Sequence, residues 1–264
     1  MLTARDPLAP ETEHFYRRTL EVLRDAGVPY LVGGAFALEH YTAITRNTHD
    51  LDAFVREADA ERALAALAAA GYRTDPKFPH WLGKAYSGND EIDVIYSSGN
   101  GVARVDDLWF ERAEDATVLG IAVKVIPVEE MIWSKSFVQE RERFDGADIM
   151  HLLRARAETL DWGRLVARFG PYWRVLFAHL VMFGFVYPGE RMCLPRGVIR
   201  ELMRRLEREL SSPGDANLCQ GTLLSREQYL VDIERHGDVD ARLRQPGKMS
   251  AEEIAIWTDG IKEK

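Results

Sequence analysis

Cysteine is almost missing from this chain: Cys193 and Cys219 are the two in 264 residues, without CxxC spacing and without paired histidines nearby. That argues against a disulfide framework and a structural zinc site, and it fits a reducing compartment. Long apolar runs are also lacking. None reaches the roughly eighteen residues that a membrane crossing requires, and the longest, Val175–Val186, is interrupted by His179 and Gly184 and reads as a buried helix. The opening residues, MLTARDPLAPETEHFYRR, put acidic groups and prolines where an export signal needs an apolar stretch. The expectation is a cytoplasmic protein with no membrane partner. Positive charge is in deficit, with 34 Lys and Arg against 42 Asp and Glu for a net charge of −8. Broad non-specific nucleic-acid binding is therefore not expected, although a local basic surface is compatible with RNA. No GxxxxGK[ST], HExxH or GxSxG occurs, which removes P-loop enzymes, zincins and α/β-hydrolases. The GNG at Gly99–Gly101 is not followed as GxGxxG and reads as a turn.

What is present is an ordinary globular composition, 46% hydrophobic and 29% charged, enough for one good core and a smaller second unit. Helices are predicted at Glu11–Asp25, closed by Gly27, at Ala35–Tyr41 and at the alanine-rich Ala58–Ala70. Strands are predicted at Pro29–Val32, Asp50–Val55, Tyr72–Thr74, Trp81–Tyr86 and Glu91–Tyr96, the last two separated by the turn Ser87-Gly88-Asn89-Asp90. A short helix at Val105–Arg112 and a hairpin of Thr117–Leu119 with Ala122–Ile126 complete this part, which reads as helices layered on a mixed sheet. From Pro127 the pattern is helical, at Ala147–Arg156, Trp162–Phe169, Trp173–Phe185 and Gly197–Leu210. After Ser211 the chain is polar, with capping-box starts at Ser225…Gln228 and Ser250…Glu253. The expected division is residues 1–126, 127–210 and 211–264, the last a polar tail with two short helices.

The informative stretch is YLVGGAFALEHYTAITRNTHDLDAFV. Asp50 and Asp52, two apart on a strand, leave the same face. With Asp93 on the exposed polar face of a later strand they make a three-carboxylate candidate metal site. Hard oxygen ligands of this kind suit Mg²⁺, and three carboxylates can hold two ions that activate a hydroxyl and stabilise a leaving phosphate. Gly33-Gly34 sits between strand and helix, where missing Cβ atoms let backbone N–H groups approach phosphate oxygens; the plainer reading is a tight turn.

GG followed by Arg46, Thr48, Asp50 and Asp52 as R-x-T-x-D-x-D resembles the polymerase-β-type nucleotidyltransferase superfamily. The likeness is greatest to the abortive-infection toxin-like nucleotidyltransferases, often the toxins of toxin–antitoxin pairs. Those proteins carry a later K…R…D-x-x-D pattern, matched here by Lys135, Arg141 or Arg143, Asp145 and Asp148 in SKSFVQERERFDGADIMHLL. The resemblance covers roughly residues 28–153. It departs in having GG where antibiotic-modifying and cyclic-dinucleotide members usually have GS, and in a longer spacing from Gly34 to Asp50 than theirs, which disfavours a third reading, an antibiotic-modifying transferase; the FDGAD insertion leaves Asp145 and Asp148 as alternatives.

The resemblance implies an α+β fold, with a nucleotidyltransferase-like mixed sheet, flanking helices and a helical C-terminal region. It implies an Mg²⁺-dependent enzyme that moves an NMP from an NTP to a hydroxyl acceptor: an RNA 3′ end, a protein side chain or a small molecule. Gly33, Gly34, Arg46, Thr48, Lys135 and Asp148 become candidate nucleotide-binding residues, and an antitoxin or a second copy a candidate partner. Against these stand the plainer readings: Lys135 as a snorkelling surface lysine, Asp145 as a helix cap, Arg46 as a loop-positioning residue and His49 as a loop contact. The stripe Arg196, Arg200, Arg204 and Arg208 lies on one helix face as a solvated surface or an RNA or acidic-partner surface. Phe177, Phe183, Phe185, Tyr172 and Trp173 look like helical core. The alternative from another class is an inactive nucleotide-sensing module on the same scaffold.

Overall fold

The computed structural model of the protein describes residues 8–244 and 248–260; the ends of the expected first and last segments, and residues 245–247 within the tail, lie outside the described residues. Two compact units are formed, one from the chain up to Pro127 together with the residues from Glu252 onward, the other from Val128–Ala251.

The first unit is a seven-stranded mixed sheet with helices. In chain order it contains α1 (Pro10–Asp25), β1 (Leu31–Val32), α2 (Gly34–Thr42), β2 (Asp50–Phe54), α3 (Glu57–Ala69), β3 (Arg73–Phe78), β4 (Leu82–Ser87), β5 (Asp90–Ile95), α4 (Asp107–Glu111), β6 (Glu114–Val118) and β7 (Ile121–Val125). The strand order is β3-β4-β5-β2-β1-β7-β6. The β2–β5 and β1–β7 pairs are parallel and the others antiparallel. Pro10 opens α1 at a position where a missing N–H costs nothing, and Phe15, Tyr16, Leu20 and Leu23 fall on its buried face. Helix α3 buries Ala60, Ala63 and Leu67, three and four residues apart. Leu51 and Ala53 of β2 and Ile92 and Val94 of β5 are fully buried on one face of the sheet, each Leu or Ile contributing about 1.5–3 kcal/mol. Their alternation turns the odd-numbered aspartate of β5 and the even-numbered pair of β2 to the other face.

Strand β3 continues past Thr74, where the sequence reading ended it. Pro76 is tolerated because β3 is an edge strand and its register shifts between Asp75 and Phe78. The expected strand at Pro29–Val32 shortens to two residues.

The second unit is helical: α5 (Val128–Ser136), α6 (Gly146–Arg156), α7 (Trp162–Phe169), α8 (Trp173–Val186), α9 (Arg196–Leu210) and α10 (Leu230–Glu234). It also holds a small parallel pair that sequence reasoning missed, β8 (Leu218–Cys219) with β9 (Val239–Asp240). Two residues per strand leave no alternation to read. Glu129 and Glu130 of α5 are buried against Arg164 and Arg168 of α7, with Arg168 Nε 2.9 Å from Glu130 Oε1. Charges this deep require such partners. The run Trp162–Val186 contains an 18-residue window of mean hydropathy 1.3, enough for a membrane span by length and composition alone. Gly170 (φ 47) ends α7 within that run, and Arg164 and Arg168 lie in it. On α8, Phe183, Tyr172 before it and Trp173 are core as expected, but Phe185 is 80% exposed. One helix cannot bury a full circle of side chains when its neighbours cover one side.

The expected capping box at Ser225 forms in part: Gln228 N–H donates to Ser225 Oγ at 3.2 Å, and helix begins at Leu230. The last helix, α11 (Ala251–Asp259), brings Trp257 to Phe78 and Trp81, at ring separations of 5.0 and 5.1 Å, within the first unit. Trp257 lies over Gly99, where a Cβ would meet the indole at 2.3 Å.

Candidate active site

The parallel pairing of β2 with β5 sets Asp52 directly opposite Asp93 and Asp50 opposite Glu91. One oxygen from each of Asp50, Asp52 and Asp93 lies within 4.8 Å of the other two. The donor set, three carboxylates and no sulfur or imidazole, fits a hard divalent cation such as Mg²⁺. Thr48, expected to bind nucleotide, donates its hydroxyl to Asp50 Oδ1 at 2.7 Å and so fixes that carboxylate.

The two glycines have separate steric reasons. Gly34 has φ +54, and a Cβ there would stand 1.7 Å from Asp52 Oδ2. A Cβ on Gly33 would stand 2.2 Å from the Phe54 ring, and Gly33 N–H donates to the Asp52 carbonyl at 3.0 Å. The turn is thus tight, and it also lies against the carboxylate cluster. Helix α2 starts there with no side-chain cap, so its first N–H groups are uncapped by side chains at the edge of the cluster.

Asp93 departs from the expectation of an exposed polar face: it is 9% exposed. The reason is Lys84 of β4, whose Nζ lies 2.8 Å from Asp93 Oδ1 and 2.7 Å from Glu91 Oε1. Burial pushes the Asp93 carboxyl up to about 6; Lys84 pulls it down, and Asp50 and Glu91 push it up. Burial works against the Lys84 ammonium, but Asp93 and Glu91 outweigh it and raise its pKa. Sequence reasoning missed Lys84 and Glu91. The signal was available in the turn, because pairing Ser87 with Asp90 across Gly88-Asn89 places Lys84 opposite Asp93.

In the second unit, Lys135 Nζ lies 2.8 Å from Asp145 Oδ2 and 2.8 Å from Asp148 Oδ2. The two alternative aspartates therefore both engage the same ammonium, and Lys135 is not the snorkelling surface residue of the plainer reading, since its side chain is 11% exposed. Asp145 occupies the position before α6 but makes no side-chain capping bond. Burial opposes its ionisation, yet Lys135 and Arg143 hold its carboxyl below the usual range. Arg46 and His49 are exposed in the loop between α2 and β2, and Arg141 is exposed before α6. The arginine stripe of α9 is exposed, with Arg204 and Arg208 3.3 and 3.7 Å from Glu201.

A family model described as "Uncharacterised nucleotidyltransferase" matches residues 14–181. No curated protein matches the sequence. Among solved structures, the antibiotic-resistance factor ANT(2'')-Ia is similar at 15% identity, covering 76% of this chain and 97% of its own, with a TM-score of 0.39. The lincosamide antibiotic adenylyltransferase LnuA is similar at 13% identity over 56% of this chain and 98% of its own, with a TM-score of 0.38. JHP933 from Helicobacter pylori is similar at 12% identity over 78% of this chain and 99% of its own, with a TM-score of 0.41. The family match takes in β2, β5 and the Gly33-Gly34 turn and spans more than half of the chain, so this protein belongs to the family of uncharacterised nucleotidyltransferases.

Proposed function

We propose that this nucleotidyltransferase uses Mg²⁺ held by Asp50, Asp52 and Asp93 to move an NMP from an NTP to a hydroxyl acceptor. The observation that carries the reading is the convergence of three carboxylates from two adjacent strands beside a glycine turn that has no room for a side chain. Mg²⁺ bound there would offset the phosphate charge and favour the acceptor's alkoxide; three carboxylates are enough to hold two ions.

The chain's own residues do the rest. Thr48 fixes Asp50. Gly34, having no side chain, leaves room for the Asp52 carboxylate itself, and in this reading the first N–H groups of α2 and Arg46 would receive phosphate oxygens. Asp93, held at Oδ1 by Lys84, accepts the acceptor's proton on its other oxygen. The acceptor oxygen bonds to the α-phosphorus, the bond to the β-phosphate oxygen breaks, and pyrophosphate leaves with its electron pair. Lys135 and Asp148 are kept as candidate nucleotide-binding residues, and a phosphate at Lys135 would compete with two carboxylates for its ammonium.

The acceptor is an RNA 3′ end, a protein side chain or a small molecule. The resemblance to the abortive-infection toxin-like nucleotidyltransferases supports a toxin-like role with an antitoxin or a second copy as partner, and the scarcity of cysteine supports work in the cytoplasm. The test is incubation with each α-labelled NTP, Mg²⁺ and total cellular RNA or protein. Label in one product class identifies the acceptor. No transfer and no pyrophosphate release with any NTP and any of these acceptors would overturn the reading in favour of an inactive nucleotide-sensing module.

A further inference from the structure

One level of the sheet reads Lys84, Asp93, Asp52 across three adjacent strands, because β4 pairs Lys84 with Asp93 and β5 pairs Asp93 with Asp52. Two residues along, Glu91 stands beside Asp50 in the same way. Alternation in each strand puts these five charged groups on one face, four carboxylates and one ammonium, with Asp75 of β3 paired to Lys84 on its other side. That ammonium is not on the rim. Its side chain is 15% exposed, and Nζ bridges Asp93 Oδ1 and Glu91 Oε1. Oδ1 of Asp93 is itself closed off from solvent, and it is this oxygen that Lys84 holds.

We propose that Lys84 is the resident counter-cation of the carboxylate cluster and the positioning residue for Asp93. It keeps the site assembled when no ion is bound, and it sets how strongly the site draws one. The proposal rests on the reading of Asp50, Asp52 and Asp93 as the divalent-cation site.

The physical reason is the density of like charge. Carboxylates whose oxygens lie within 4.8 Å of one another repel one another strongly when no cation is between them. A fixed ammonium lowers that repulsion in the metal-free protein. The same ammonium opposes an arriving divalent ion, because both are drawn by the same field. Removing it has two consequences of opposite sign. The cluster pulls harder on the ion, and Asp93 loses the contact that fixes its rotamer, as happens when a ligand's supporting partner is deleted. A lysine with only a structural role would lower stability equally with and without the ion.

The experiment is calorimetric titration of Mn²⁺, as a probe for Mg²⁺, into wild type, Lys84→Met, Lys84→Gln and Asp52→Asn, with thermal unfolding of each in the presence and absence of Mn²⁺. The expected result is that both Lys84 variants unfold at lower temperature without the ion, bind Mn²⁺ at least about tenfold more tightly (about 1.4 kcal/mol), and are stabilised by Mn²⁺ more than wild type. Unchanged or weaker Mn²⁺ binding would overturn the proposal. If both variants are unfolded without the ion, folding restored by Mn²⁺ supports it, and unfolding that Mn²⁺ does not repair overturns it. Wild type that binds no Mn²⁺, or Asp52→Asn that binds it as wild type does, would overturn the cluster reading and the proposal with it. Strong wild-type binding that is lost in Asp52→Asn, with no change in the Lys84 variants, would sink the proposal alone.

Discussion

Gly34 and Gly33 are neighbours with different jobs, and single substitutions separate them. Alanine at 34 meets Asp52 Oδ2 at 1.7 Å and must also hold φ +54, a left-handed conformation that costs about 1–2 kcal/mol. Gly34→Ala should fold but push Asp52 out of the cluster, with divalent-cation affinity down by about 10–100-fold, as for loss of a ligand's orientation. Gly33→Ala meets the Phe54 ring instead, so its main effect should be on unfolding temperature. Equal cation affinity in Gly34→Ala and wild type, read by calorimetry, would show that the turn is only a turn. Asp93 gives a pH signature. Its carboxyl is raised from 3.8 to about 6 by burial, so between those values the native state holds a proton that the unfolded chain has released. Stability of the metal-free protein from this group is therefore greatest at the acid end of that window and falls as pH rises through about 6. Divalent-cation affinity should rise over the same range. Asp93→Asn should flatten the stability trend, and a metal-free unfolding profile with the same slope in that variant would contradict it. That Asp50 and Asp52 share a face was legible from their spacing. The burial of Asp93 is not legible in its own strand; it follows only when the turn at Gly88-Asn89 is used to pair Lys84 with it.

At the level of elements, most of the sheet was readable because β2 and β5 alternate and the turn between β4 and β5 is explicit. What escaped was set by neighbours. Pro76 sits inside a strand only because that strand is an edge, and β8 and β9 are too short to carry a period. Helix α8 looks apolar on all sides, yet the packing of its neighbours leaves Phe185 outside while Phe183 is fully buried. Phe185→Asp should therefore leave the unfolding temperature nearly unchanged, whereas Phe183→Ala should cost about 3–5 kcal/mol. A similar cost for both would mean that the outer face of α8 is covered. Helices α5 and α6 are tied by Lys135 between Asp145 and Asp148. Lys135→Ala leaves two buried carboxylates without their ammonium, and a loss of about 3–5 kcal/mol is expected in denaturant unfolding. A near-neutral effect there would free Lys135 for a purely nucleotide-binding role.

Over the whole molecule, the chain carries its candidate chemistry in the first unit and a helical second unit behind it in sequence, and α11 returns Trp257 to the first unit at Phe78 and Trp81. The net charge of −8 adds to the local repulsion that a divalent ion relieves in the cluster, so the cation should raise the unfolding temperature of the intact protein. The family match spans both units, and the central claim is that the three carboxylates perform metal-dependent nucleotidyl transfer. The most direct measurement compares Mg²⁺–NTP affinity and label transfer from α-labelled NTP in wild type, Asp50→Asn, Asp52→Asn and Asp93→Asn, all checked for native unfolding. The account predicts that Asp50→Asn and Asp52→Asn lose both binding and transfer. Asp93→Asn should keep affinity within a few-fold and lose about 10²-fold or more in turnover, the pattern of a group that matters mainly in the transition state. Transfer at the wild-type rate in Asp52→Asn, or in Asp93→Asn, would contradict it.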